Sequence, residues 1–188
     1  MKKLMLILVL ITVFSTGAAF ADHSDSFGIG AIITFDRVDI YKLSIMTGFG
    51  ITLKAPYVPV FAGAKFFLFD PHETIMGFTV DYHIFEMPLS ETPLIKKISL
   101  FSKIRLDWYA GLGIDYQYYH TNNFYDNKID YYFHMIGLRA PIGLNFHATD
   151  KLDVFFELAP TPHHRIYRHK NNRISIYTSA ALGVRFLF

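Results

Sequence analysis

The 188-residue chain contains no cysteine. Disulfide frameworks and thiolate metal sites are therefore excluded, and other interactions must hold the fold together. Long apolar runs are also scarce, because the chain has none beyond its first 21 residues that could span a membrane as a helix. Yet 52% of the residues are hydrophobic and 17% are aromatic. So apolar a chain, without disulfides or spanning helices, has few ways to fold.

The N-terminal residues have the three parts of a secretory signal peptide. Lys2 and Lys3 form a basic region, residues 4–14 form an apolar run, and residues 19–21 (Ala-Phe-Ala) form a small-x-small cleavage site. A transmembrane helix needs about 20 apolar residues, roughly twice the length of this run. We therefore predict a signal peptide over residues 1–21, cleaved after Ala21, and one domain over residues 22–188.

A strong net charge is also lacking once the predicted signal peptide is removed. Its removal takes away two lysines and no acidic residue, which leaves 16 basic and 16 acidic residues. A neutral chain has no electrostatic reason to bind nucleic acid, and we expect no such partner.

Apolar residues alternate with small or polar residues along most of the remaining chain. In residues 104–118 the even positions are apolar or aromatic, whereas the odd positions include Arg105, Asp107 and Asp115. The same pattern occurs in residues 74–85, 134–147, 152–160 and 174–188. A period of two with one bulky apolar face is typical of transmembrane strands, which have about 9–11 residues. A helical period fits none of these stretches well.

The alternation predicts an all-β fold, namely a closed antiparallel eight-stranded transmembrane β-barrel. Closure is expected because an open edge in lipid would leave backbone groups unpaired, at a cost of several kcal/mol each. The predicted strands are about 26–35, 42–53, 58–69, 74–86, 104–118, 131–147, 152–160 and 174–188. A soluble barrel with its apolar face inward is the alternative, but the second face is richer in Gly and Ala than a solvent-exposed face should be.

The predicted strand directions place the connections. Residues 54–57 and 148–151 become periplasmic turns, and the external loops are 36–41, 70–73, 120–130 and 161–173. Residues 86–103 are too long for a tight periplasmic turn. Either strand five begins early or residues 93–101 form a short amphipathic helix.

The inward positions carry charges of both signs. An eight-stranded barrel is just wide enough for side chains to fill, and buried charges must be paired. We therefore predict an ion-pair network that plugs the lumen, with a gated polar pore as the alternative. The network comprises Lys65, Asp81, Arg105, Asp107, Arg139, Asp153, Glu157 and Arg185, beside Lys42 and Asp115.

The predicted external loop 161–173 is basic and rich in histidine. Its candidate ligand-binding residues are His163, His164, Arg165, Tyr167, Arg168, His169, Lys170 and Arg173. Such a loop could attract an anionic glycan, anionic lipid headgroups or an acidic host protein, or bind no ligand at all. No metal is predicted, because no acidic or thiolate ligand accompanies the histidines. The aromatic residues of 116–132 predict an interfacial girdle or, alternatively, a contact surface.

Several segments resemble known outer-membrane proteins. Residues 183–188, with Gly183, Phe186 and Phe188, resemble the C-terminal assembly signal of bacterial outer-membrane proteins. Residues 108–113, 139–144 and 155–160 resemble segments of small spirochaetal outer-membrane barrels. The layout is similar to the membrane domains of OmpA and OmpX. This resemblance implies insertion by the outer-membrane assembly machinery and a role as a surface binder, adhesin or structural barrel.

The functional expectation is a monomeric barrel in outer-membrane lipid that acts through its external loops. A host matrix protein or an anionic glycan is the expected partner, and no cofactor is expected. The alternatives are a small channel for apolar molecules, similar to the OmpW barrels, and a lipid-modifying enzyme. Catalysis is not expected, because His134 is followed two residues later by Ile136 where the deacylase type needs a serine.

Overall fold

The computed structural model describes residues 25–37, 45–68, 73–91, 105–122, 130–167 and 173–188. They form nine β-strands and one 3-10 turn, Leu89–Glu91. The strands are β1 (Gly28–Arg37), β2 (Ile45–Lys54), β3 (Val60–Leu68), β4 (Glu73–Pro88), β5 (Leu106–Asn122), β6 (Asp130–Arg139), β7 (Ile142–Thr149), β8 (Leu152–Tyr167) and β9 (Arg173–Leu187). None of the described residues belongs to a helix long and apolar enough to cross a membrane.

The strands close into one antiparallel barrel. Each pairs with its neighbours in sequence, and β1 pairs with β9 from Gly28–Leu187 to Asp36–Ser179. The segments β6 and β7 are two halves of one barrel strand, because both pair with β5 on one side and with β8 on the other. The predicted closed eight-stranded barrel is confirmed.

Prolines shape the wall where β6 and β7 meet. Pro141 has no N–H to donate, and the strand is interrupted at residues 140 and 141. The barrel remains bonded there, because Ala140 N donates to Pro160 O at 3.2 Å and Gly111 N donates to Pro141 O at 2.8 Å. The interruption therefore does not open the wall.

The eighth barrel strand, β8, is longer than the sequence predicts. Pro160 and Pro162 suggest a strand that ends at residue 160, yet β8 continues to Tyr167 and pairs with β9 throughout. Both prolines point outward from the wall. The prediction of an external loop from residue 161 is therefore wrong for residues 161–167.

The two faces of the wall have opposite chemistry. On β5, Ile114 is 56% exposed and points outward, whereas the next residue, Asp115, is 1% exposed and points into the lumen. The same alternation runs through β9, where Phe186 is exposed and Arg185 is buried. The apolar-inside alternative is thus excluded. One local shift occurs in β4, where a bulge makes Phe85, rather than the predicted Ile84, the exposed outward residue.

The barrel has two distinct ends. The end where β1 begins and β9 finishes also holds the predicted turns near residues 55–59 and 150–151, and we call it the terminal end. The opposite end, where β8 stops and β9 starts, is the loop end. Residues 92–104, which contain most of the segment left open above, lie outside the described residues.

Candidate functional site: the barrel lumen

Arg139 occupies the centre of the lumen. Its Nε donates to Asp81 Oδ2 at 3.0 Å, its Nη1 donates to Ser179 Oγ at 2.9 Å, and its Nη2 contacts Glu157 Oε1. Tyr109 donates a further hydrogen bond to Glu157 Oε2 at 3.0 Å. Guanidinium offers five donors in a fixed plane, so one buried arginine can bind two carboxylates and a hydroxyl. This central cluster joins β4, β5, β6, β8 and β9.

A second polar cluster lies toward the loop end. Lys65 Nζ is 3.9 Å from both Asp36 Oδ2 and Asp115 Oδ2. Gln117 Nε2 donates to the same two oxygens at 3.4 Å each. His163 Nε2 is 3.7 Å from Asp115 Oδ2. Sequence reasoning missed Asp36 because it placed residue 36 in a loop, although Asp36 continues the inward positions of Ile32 and Thr34.

A third cluster, toward the terminal end, is built around His147. Its Nδ1 is 2.7 Å from Asp153 Oδ1, and its Nε2 is 2.9 Å from Asp107 Oδ2. Asn145 Nδ2 also donates to Asp153 at 3.3 Å. Carboxylates at both ring nitrogens match an imidazolium, which has a donor on each. The sequence predicted both aspartates but gave no role to His147.

An aromatic layer separates the central cluster from the His147 cluster. The guanidinium of Arg185 lies between the rings of Phe61 and Phe155, at 4.6 and 4.7 Å from their centroids. The His83 ring stacks between Phe61, at 3.9 Å, and Tyr109, at 4.1 Å. Arg185 thus lies in the lumen as predicted, but it is held by aromatic faces and by a 3.3 Å hydrogen bond to Thr52 rather than by a carboxylate.

Glycines make room for these rings. A Cβ on Gly183 would collide with the Phe155 ring, and one on Gly143 would collide with Tyr109. The small inward residues that the sequence displays are therefore the counterparts of large rings on neighbouring strands.

Arg105 does not belong to the lumen, contrary to the prediction. Strand β5 begins only at Leu106, and the Arg105 side chain is 53% exposed at the terminal end. Its Nη1 donates to Asp150 Oδ1 at 2.5 Å, and this hydrogen bond raises the pKa of Arg105 above its usual value. An exposed pair of this kind contributes little to stability.

Apolar side chains cover the Lys65 cluster at the loop end. Met46, Phe67 and Ile75 form a buried group against which Tyr119 packs. Beside them the Arg165 guanidinium lies 5.7 Å from the centroid of Phe133 and 5.3 Å from that of Tyr177.

The candidate ligand-binding residues are distributed over different environments. His163 is 2% exposed inside the lumen, Arg165 also points inward, and His164 points outward. Tyr167 ends β8 and Arg173 begins β9. Arg168, His169 and Lys170 lie outside the described residues. The structure therefore removes His163 and Arg165 from the predicted exposed loop.

The outer wall near the loop end carries polar aromatic residues. The Tyr116 hydroxyl is 2.7 Å from Nδ1 of His134. Tyr118 lies 5.4 Å and Tyr132 6.4 Å from the same imidazole, between ring centroids. Residues 116–122 and 130–132 are thus strand rather than loop, and outward rings at this height are what an interfacial girdle requires.

The barrel is similar to solved outer-membrane β-barrels. Neisserial surface protein A (NspA) matches over 87% of this chain and 96% of that chain, with 12% identity and a TM-score of 0.53. Ail, the attachment invasion locus protein of Yersinia pestis, matches over 87% and 97%, with 14% identity and a TM-score of 0.49. The N-terminal β-barrel domain of Pseudomonas aeruginosa OprF matches over 86% and 97%, with 16% identity and a TM-score of 0.48. No family model and no curated protein matches the chain. The resemblance to spirochaetal barrels stays a prediction, whereas the likeness to NspA shows that the chain has the fold of an outer-membrane β-barrel.

Proposed function

We propose that the protein is an integral outer-membrane barrel with a plugged lumen, acting at the cell surface as a binding or structural protein. The observation that carries this proposal is the central cluster, in which Arg139 fills the lumen between Asp81 and Glu157. A barrel whose interior is filled has its accessible chemistry at its ends and on its outer wall.

The outward face supports the membrane location. Large apolar side chains such as Phe49, Leu138 and Leu182 are between 50% and 71% exposed on the outer wall. In water such a surface would be an aggregation liability, whereas in lipid it is the required surface. With a signal peptide cleaved after Ala21, the terminal end faces the periplasm and the loop end faces outward. Sequencing the N-terminus of the mature protein tests the cleavage, and protease treatment of intact cells carrying an epitope between residues 123 and 129 tests the orientation.

The C-terminal strand β9 serves as the assembly signal in this proposal. Phe186 and Phe188 are 53% and 76% exposed on the outer wall, where a partner in the assembly machinery can reach them. Deletion of Phe188 should lower the amount of protein in the outer membrane without preventing refolding of the purified chain in detergent. Unchanged membrane levels would contradict this role.

The structure narrows the surface for an anionic partner. Because His163 and Arg165 point into the lumen, the remaining basic candidates between β8 and β9 are Arg168, His169 and Lys170. Heparin is a suitable probe of a basic surface. Refolded protein should bind immobilised heparin, and the double variant Arg168→Gln, Lys170→Gln should lose that binding.

Lys151→Gln provides the matched control, since Lys151 is an exposed lysine at the terminal end. It should bind heparin like the wild type. Equal loss in both variants would show non-specific attraction, and no binding by the wild type would leave the structural role as the proposed function.

The alternative function, a channel for apolar molecules, finds less support. The lumenal cavities that line the clusters have volumes of about 30 and 10 Å³, far smaller than a typical small-molecule pocket. Ion current through the refolded protein in planar bilayers would favour the channel over the plugged barrel.

A further inference from the structure

Ten buried polar atoms of the lumen have no hydrogen-bond partner among the residues that the structure describes. Buried polar groups are nearly always bonded, so so many in one compartment require an explanation. Their positions are not scattered, because all ten belong to residues that line one of two small cavities.

The first cavity, of about 30 Å³, lies between the Lys65 cluster and the aromatic layer. Five of the unpartnered atoms line it: Thr34 Oγ1, Lys65 Nζ, Asp81 Oδ1, His83 Nδ1 and Arg185 Nε. Donors and acceptors both face this space. One water needs about 10–15 Å³ of such volume and two to four polar partners, so the cavity has room for about two waters.

The second cavity, of about 10 Å³, lies nearer the loop end. The other five atoms line it: Asp36 Oδ1, Asp115 Oδ1, both ring nitrogens of His163, and the Tyr177 hydroxyl. Its volume matches about one water. An imidazole and a phenol can donate to that water, and the carboxylates can accept from it.

The ion-pair distances point the same way. Arg139 bonds Asp81 directly at 3.0 Å, whereas Lys65 stands 3.9 Å from each of its two carboxylates. His163 is likewise 3.7 Å from Asp115. Separations beyond 3.5 Å between buried opposite charges are those of water-mediated contacts. The loop-side cluster therefore differs in kind from the central cluster.

We propose that the lumen contains two internal water-binding sites, one in each cavity, and that Lys65 is held in the plug by bound water rather than by direct ion pairs. Each water accepts from a nitrogen or hydroxyl donor and donates to a carboxylate oxygen. The sealed lumen is then a mixed network of protein and water, enclosed by the aromatic layer on one side and by Met46, Phe67 and Ile75 on the other. This inference depends on the lumenal contacts alone, and it stands apart from the proposed binding role.

A crystal structure of the refolded protein at a resolution that shows ordered water tests the proposal. We expect water density within about 2.7–3.2 Å of Lys65 Nζ and of the His163 ring. Lys65 Nζ in direct contact with Asp36 or Asp115, or both cavities filled by side chains, would overturn the proposal. So would density with four or more oxygens at about 2.3–2.6 Å, because those distances belong to a metal ion.

A pair of threonine variants tests the first site in solution. Thr34→Val removes a hydroxyl from the cavity wall, whereas Thr47→Val makes the same change on the exposed outer face of β2. We expect Thr34→Val to lower the midpoint of thermal unfolding and to lose a water in its crystal structure, and Thr47→Val to leave the midpoint unchanged. Equal midpoints for the two variants, with the lumenal density unaltered, would contradict water binding at Thr34.

Discussion

Arg139 and Asp81 are joined by a direct 3.0 Å hydrogen bond across the lumen, although they lie on strands β6 and β4, which are separated by β5 in the wall. The bond therefore holds the barrel together through its interior, in addition to the backbone ladder around it. Glu157 on β8 extends the same link to a third strand.

Arg139→Ala should destabilise the barrel by about 3–5 kcal/mol, because it leaves the carboxylates of Asp81 and Glu157 buried without their partner. Urea unfolding of the refolded protein in lipid vesicles measures the effect. Arg105→Ala is the control, since Arg105 pairs with Asp150 at the exposed terminal end, and its unfolding midpoint should not change. Wild-type stability in Arg139→Ala would refute the central cluster.

Replacing the whole central cluster should cost less than removing its arginine. In the triple variant Arg139→Met, Asp81→Leu, Glu157→Leu no buried charge of the cluster is left without a partner, and apolar packing compensates for the lost ion pairs. The same urea titration should place this variant between Arg139→Ala and the wild type, or above both. A triple variant less stable than Arg139→Ala would show that the charges act independently.

Gly143→Ala should destabilise the barrel by about 1–3 kcal/mol, because the added methyl group would overlap the Tyr109 ring. Gly77→Ala is the matched control. Its Cβ would meet its nearest neighbours, Phe67 Cε2 and Gln117 Cγ, at 3.5 and 3.6 Å, which is ordinary contact. Thermal unfolding in detergent compares the two, and equal midpoints would argue against the packing of Tyr109 over Gly143.

The extension of β8 makes a prediction about reactivity. Because the natural chain has no cysteine, a single introduced thiol can be followed without background. In His163→Cys the thiol should resist a charged maleimide in the folded protein and react after unfolding in urea, since residue 163 is 2% exposed. Asp150→Cys, at a position whose side chain is 85% exposed, should react in both states. Rapid labelling of folded His163→Cys would return residues 161–167 to a loop.

The period of two carried most of the fold prediction. Along β5 and β9 each side chain has the face that its parity predicts, because a strand offers only two faces and the two have opposite chemistry. The same pattern correctly placed Asp81, Arg139 and Glu157 in the lumen.

Strand ends and contact partners were harder to predict. Pro160 and Pro162 are turn signals in isolation, but in β8 the neighbouring strands override them. Arg105 has the parity of a lumenal residue, yet it lies just before β5 begins. The aromatic partners of Arg185 are far away in sequence, so no local pattern could indicate that Phe61 and Phe155 enclose it.

The most direct test of the account is a collision measurement on spin labels placed singly at residues 178–182 of β9, in protein refolded into lipid vesicles. We predict that oxygen, which concentrates in lipid, reaches the labels at Thr178, Ala180 and Leu182 strongly, and that Ser179 and Ala181 are protected from both oxygen and a water-soluble nickel reagent. Uniform accessibility along the five positions, or strong nickel contact at the even ones, would contradict a barrel with lipid outside and a plugged lumen within.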